Sequence, residues 1–188
     1  MNITVGISNK HAHLTQGQVD CLFGKGYELT FFRKIKQPDE FVSGEKINII
    51  GPKGILKDVR ILGPVREKAQ IEMTLTNARN IGIEAEIRIS HHVSGSSGIR
   101  LQGPKGTYEL KEGVIAAMRH LHMTPEEAET LQLKENQRVC IETTGSRGVI
   151  FKNVVVRIDP LFSLELHLDT DEANAASLKN GDSVQLLP

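Results

Sequence analysis

Tryptophan is absent from this chain of 188 residues, and the aromatic content is only 4 %. Recognition of nucleic acid by base stacking is therefore poorly supplied. Charge for tracking a phosphate backbone is also missing, because 23 Lys and Arg balance 23 Asp and Glu. Neutrality argues equally against a polybasic membrane anchor. No apolar run approaches the roughly 18 residues that span a bilayer. Cysteine is scarce: Cys21 and Cys140 stand apart without Cys-x-x-Cys spacing, and both read as buried small hydrophobes rather than catalytic thiols. A Gly-x-Ser-x-Gly elbow is missing too, which removes the usual acyl-serine route. Gly51-Pro52-Lys53-Gly54 lacks the rest of a phosphate-binding loop, so on its own residues Lys53 is an exposed turn lysine. The N-terminus enters a strand at once, leaving no room for a signal peptide.

What the chain has is a doubled device. His11-Ala12-His13 near the start reappears as His120-Leu121-His122 two-thirds of the way along. Residues two apart in a strand share a face, so each pair can aim two imidazoles at one point. A third candidate ligand follows each pair at comparable distance, Glu72 in one half and His167 in the other. Imidazole and carboxylate suit zinc, which keeps three protein ligands and an open position when it is catalytic. Thr15-Gln16-Gly17-Gln18 and Thr124-Pro125-Glu126-Glu127 then read as capping boxes, so each His-x-His strand feeds a short helix. Val59-Arg60-Ile61-Leu62-Gly63-Pro64 parallels Val155-Val156-Arg157-Ile158-Asp159-Pro160. These parallels predict an internal repeat. Arg66, shortly before Glu72, is placed to reach the same metal and offers a planar fork for phosphate or carboxylate oxygens. His91-His92, adjacent and therefore on opposite sides of a strand, reads as a surface loop.

The rest of the chain predicts a mainly β protein of two small barrels with short capping helices. Strands are expected at 3–8, 46–50, 55–62, 86–89, 99–101, 138–143, 148–158, 164–168 and 183–187. Gly51-Pro52-Lys53-Gly54, Gly103-Pro104-Lys105-Gly106 and Gly145-Ser146-Arg147-Gly148 separate some of them as hairpin turns. Helices are expected at 16–23, 76–80, 112–118, 125–133 and 172–178. Asp169-Thr170-Asp171-Glu172 reads as a helix N-terminal charge cluster. The Ser- and Gly-rich stretch at 90–98 is the most linker-like, dividing the chain into halves at 1–90 and 91–188, with strands free to exchange between barrels.

Five ordered segments carry a family resemblance: Ile7-Ser8-Asn9-Lys10-His11-Ala12-His13-Leu14, Gly51-Pro52-Lys53-Gly54, the run from Val59 to Arg66, Met118-Arg119-His120-Leu121-His122-Met123, and the run from Leu166 to Asn174. Together they resemble the PduL-type phosphate propanoyltransferases over essentially the whole chain. The resemblance implies two β-barrel domains with a pair of zinc ions at their junction, and transfer of an acyl group between coenzyme A and inorganic phosphate. It implies His11, His13 and Glu72 as ligands of one zinc ion and His120, His122 and His167 as ligands of the other. It implies Arg66 as the phosphate-holding catalytic residue, and Ile7, Ser8, Asn9, Lys53, Arg60 and Asn174 as coenzyme A contacts. The expected partners are acyl-CoA, coenzyme A and phosphate, with no nucleic acid or membrane and with a homo-oligomer left open. Microcompartment-packaged relatives carry an added N-terminal segment. Only six residues precede Ile7 here, so a cytoplasmic enzyme is expected.

Two rival readings use the same residues. A dinuclear zinc thioester hydrolase would replace phosphate with a bridging hydroxide, but Arg66 suits an anionic co-substrate better than water. A non-catalytic zinc-stabilised binding module would favour closed, cysteine-rich ligand shells, and this chain has two scattered cysteines.

Overall fold

The computed structural model describes residues 2–36 and 39–187. After β1 (Ile3–Ser8), one run of elements comprises β2 (His11–His13), α1 (Gln16–Phe23), β3 (Phe31–Lys34), β4 (Phe41–Ile50), β5 (Ile55–Gly63), β6 (Gln70–Glu72), α2 (Leu75–Ile81), β7 (Glu86–Arg88), β8 (Ser97–Gln102) and β9 (Thr107–Ala117). A second run comprises β10 (His120–Met123), α3 (Pro125–Leu131), β11 (Arg138–Glu142), β12 (Ile150–Ile158), β13 (Glu165–Asp169), α4 (Thr170–Ala176) and β14 (Ser183–Leu186).

The first run closes a six-stranded barrel, and the second closes another together with β1. In the first, β2 lies parallel to β5, which continues antiparallel through β4, β8 and β9; β9 then runs parallel to β6, and β6 returns antiparallel to β2. The second reproduces every seam with the same sense: β10 parallel to β12, then β11, β14 and β1 antiparallel in turn, β1 parallel to β13, and β13 antiparallel to β10. The predicted repeat is thus a repeat of topology. Strands β3 and β7 are additions to the first barrel, flanking β4 and β9.

Strand periodicity decides which side chains fill each barrel. Ala12 and Ile71, between outward polar neighbours, enter one core, and Leu121 and Leu166 enter the other; all four are fully buried. His11, His13, Gln70 and Glu72 therefore share the outer surface of the first barrel, and His120, His122, Glu165 and His167 that of the second. Thr15 with Gln18, Thr124 with Glu127 and Asp169 with Glu172 form reciprocal capping boxes on α1, α3 and α4. Each His-x-His strand is thereby stopped sharply and turned into a helix.

The three glycine-rich hairpin turns connect β4 to β5, β8 to β9 and β11 to β12. Each also closes a helix C-terminus, where carbonyls lack partners. The Lys53 amide donates to the Ile81 carbonyl at the end of α2, the Lys105 amide to Leu22 near the end of α1, and Arg147 Nε to Ala175 near the end of α4. The approach is close: a Cβ on Gly51 would lie 2.3 Å from the Ile81 carbonyl oxygen, and one on Gly103 2.5 Å from that of Leu22.

Three expectations are corrected. The units are Asn9–Ala117 and Met1–Ser8 with Met118–Pro188, not halves meeting near residue 90. The stretch at 90–98 merely leads into β8, and β8 and β9 are needed to close the first ring, while the second borrows β1. The helix expected at 112–118 is the end of β9, with Gly113 at φ +132° and β-branched Val114 and Ile115 paired on both edges. Cys21 is exposed on α1, with Sγ 3.3 Å from the Thr107 carbonyl, and Cys140 is half-buried at an outward position between Val139 and Ile141.

Candidate metal centres and Arg66

Both predicted triads assemble. In each of the sets His11, His13, Glu72 and His120, His122, His167, ligand atoms lie within 4.8 Å of one another. The register explains this: β2 sets His11 opposite Glu72, and β10 sets His120 opposite His167. Cross-strand partners on one face stand about 5 Å apart at Cβ.

Tautomers are fixed alike in the two sets. His11 Nδ1–H donates to the Asn9 carbonyl at 2.8 Å and His120 Nδ1–H to the Met118 carbonyl at 2.9 Å, in each case two residues back. In both rings this turns Nε2 to the side away from that carbonyl. His11 Nε2 lies 3.5 Å from a Glu72 carboxylate oxygen, so the two side chains bring candidate ligand atoms to one point. Burial, then His11, Arg66 and His91, hold His13 far below the ordinary imidazole range. Burial, then His120, His167 and Arg157, do the same for His122. Both are neutral at neutral pH, the form that binds metal. Among the described residues, buried His13 Nδ1 has no hydrogen-bond partner, an arrangement that costs stability unless a further group satisfies it. The donor chemistry and this orphaned nitrogen fit a borderline divalent ion such as zinc.

Arg66 lies on the loop joining β5 to β6. Its amide donates to the Leu14 carbonyl at 2.8 Å, tying the loop to the end of the His-x-His segment. Its guanidinium is close enough to lower the His13 pKa and pairs with Glu40 through Nη2. Its other terminal nitrogen, Nη1, is buried without a partner among the described residues. A cleft of about 460 Å³ opens here, lined by Arg66, Lys68, Gln70 and His91 among others.

The remaining expected positions are dispersed over both units. Ile7 and Ser8 end β1, and the Ile7 amide donates to Asn180 Oδ1 at 2.7 Å. Asn9 follows and orients His11. Lys53 is exposed in its turn, with its stem against Gly82. Arg60, on β5 in register with His11, donates to the Ser43 and Gly44 carbonyls and lies 5.1 Å above the Phe32 ring. Asn174 is exposed on α4.

Several residues of the site were not anticipated. Gln70 and Glu165 each precede a third ligand by two positions, a spacing that on a strand could have flagged them. Phe162 stacks on His122 with centroids 3.9 Å apart, and Glu40 approaches from 26 residues away; neither leaves a local signal. His91, expected on a surface loop, is exposed in a turn at φ +76°. Its amide nevertheless donates to Gln70 Oε1 at 2.7 Å, which places it beside the first triad.

Comparison with known proteins identifies the family. A family model described as phosphate propanoyltransferase matches residues 4–179. A phosphate propanoyltransferase of Listeria monocytogenes is 44 % identical over 98 % of this chain and 87 % of its own length. That of Thermotoga maritima is 43 % identical over 98 % and 89 %, and that of Salmonella typhimurium 42 % over 95 % and 85 %. The chain belongs to the phosphate propanoyltransferase family and is a phosphate acyltransferase.

Proposed function

We propose that this protein is a zinc-dependent phosphate acyltransferase that interconverts a short-chain acyl-CoA, propanoyl or acetyl, plus phosphate with acyl phosphate plus coenzyme A. Arg66 carries the reading: beside His13, it holds a buried Nη1 with no partner among the described residues. A guanidinium fork is complementary to two oxygens of a phosphate dianion.

In the proposed reaction a phosphate oxygen attacks the thioester carbonyl carbon, a C–O bond forms, the C–S bond breaks, and coenzyme A leaves as thiolate. A zinc ion held by His11, His13 and Glu72 would supply charge neutralisation for phosphate beside Arg66, and His120, His122 and His167 would hold a second zinc ion. Arg66 orients the nucleophile, and holding two reactants in line is worth up to roughly 7–11 kcal/mol in the best intramolecular systems. Glu40 fixes the guanidinium from its other side. His13 and His122, kept neutral by burial, serve as ligands rather than acids. Since phosphate is the nucleophile, exposed Cys21 and half-buried Cys140 have no acyl-carrying task.

Coenzyme A binding is assigned to Ile7, Ser8, Asn9, Lys53, Arg60 and Asn174, following the family resemblance. Lys53 and Arg60 bring the positive charge that the cofactor's phosphates require. One methylene separates propanoyl from acetyl, which a pocket distinguishes by only about 1–3 kcal/mol, so the proposed acyl group is propanoyl or acetyl.

Release of free coenzyme A from propanoyl-CoA and acetyl-CoA, with and without phosphate, tests the proposal. Release that depends on phosphate and matches acyl phosphate formed is expected. Equal release without phosphate would instead identify a hydrolase, and no turnover by metal-loaded protein a binding module.

A further inference from the structure

The residue two positions before each third ligand is buried and polar: Gln70 ahead of Glu72, Glu165 ahead of His167. The two are topological equivalents, since β2 sets His13 opposite Gln70 and β10 sets His122 opposite Glu165. Each turns toward its ligand. Gln70 Nε2 donates to Glu72 Oε1 at 2.6 Å, while its Oε1 accepts the His91 amide at 2.7 Å, which fixes which end of the amide faces the carboxylate. Ser90 Oγ also reaches Glu72 Oε1, at 3.3 Å. In the second barrel a Glu165 carboxylate oxygen lies 3.0 Å from His167 Nε2. Gly6, in register with His167, leaves room for it: a Cβ there would lie 2.7 Å from Glu165 Oε2.

From this we infer that Gln70 and Glu165 are positioning residues matched to opposite ligand chemistries. An amide donor holds the carboxylate ligand Glu72, and a carboxylate acceptor holds the imidazole ligand His167. One carboxylate therefore accompanies each triad, within the ligand set of the first (Glu72) and behind the ligand set of the second (Glu165). Partners of this kind orient a ligand and raise its basicity. The inference rests on the metal reading of the two triads.

Titration of metal-free protein with Co²⁺, followed by visible absorption and competition with a chelator, tests it without recourse to activity. Wild type is expected to take up two ions. Glu165→Gln, nearly isosteric, should weaken one of them by about 10- to 100-fold while leaving its coordination number unchanged. His167→Glu should be worse, because it sets two carboxylates together. The double variant Glu165→Gln/His167→Glu rebuilds the Gln-x-Glu arrangement of the first barrel and should recover affinity over His167→Glu alone. Unaltered affinity in Glu165→Gln, a lost oxygen ligand in its spectrum, or a double variant no better than His167→Glu would overturn the inference. Wild-type protein that takes up no Co²⁺ would overturn the metal reading instead, and this inference with it.

Discussion

His11 Nε2 faces a Glu72 carboxylate oxygen across 3.5 Å while the other nitrogen of the same ring is committed to the Asn9 carbonyl at 2.8 Å. The donor strands leave little freedom, so the pair is preorganised for a cation. Its counterpart, His120 opposite His167, has ring centroids 4.9 Å apart.

Removal of one ligand from each set should separate the centres. His11→Ala and His120→Ala are each expected to lower bound metal from two ions to one per chain, as read by elemental analysis, and to abolish acyl transfer. Full activity in protein stripped of metal by a strong chelator would refute the metal dependence.

Substitution of Arg66 should affect phosphate and not metal. Arg66→Ala is expected to reduce kcat/KM by about 100-fold, the scale of a lost charge-assisted hydrogen bond, with metal content intact. Arg66→Lys should rescue only partly, because an ammonium lacks the fork. Unchanged phosphate kinetics in Arg66→Ala would remove the residue from the reaction.

Acid should unfold the metal-free protein. His13 and His122 are held below their unfolded value in the native state, which is about 6.5. Above that pH both states are unprotonated there and the full stability is present. As pH falls below it, the unfolded chain takes up protons that the native state excludes, so each histidine weakens the fold by about 1.4 kcal/mol per pH unit. Metal release follows the same direction. Thermal melts from pH 7.5 to 5 should show falling Tm; a flat or rising Tm would contradict the burial argument.

Gly51 offers a test of the turn-on-helix packing. Its Cβ would meet the Ile81 carbonyl oxygen at 2.3 Å, so Gly51→Ala must displace backbone, at a cost of about 1–3 kcal/mol. Gly17→Ala, with nothing within 4 Å of its added Cβ, should leave denaturant unfolding almost unaltered or slightly improved.

The parts legible in the sequence were those encoded locally. Period-two spacing made His11, His13, His120 and His122 visible, Thr15 and Thr124 announced their helices, and glycine pairs marked three hairpins. Relations formed only by tertiary pairing were not legible. The β-branched end of β9 looked helical because nothing local reveals its partners on both edges. Strand β3 is exposed throughout and lacks alternation. The first strand of the chain closes the second barrel, which no linker composition could disclose. Glu40 reaches Arg66, and the turn at His91 reaches Gln70, through the folded chain alone.

Oxygen tracing tests the central claim most directly. With phosphate labelled by ¹⁸O at every oxygen and propanoyl-CoA as donor, direct attack places all the labelled oxygens in propanoyl phosphate, including the oxygen bridging carbon and phosphorus. Mass spectrometry should find that fully labelled product in amounts equal to the coenzyme A released. Propanoate carrying a solvent oxygen, with the labelled phosphate left unesterified, would show that water and not phosphate receives the acyl group.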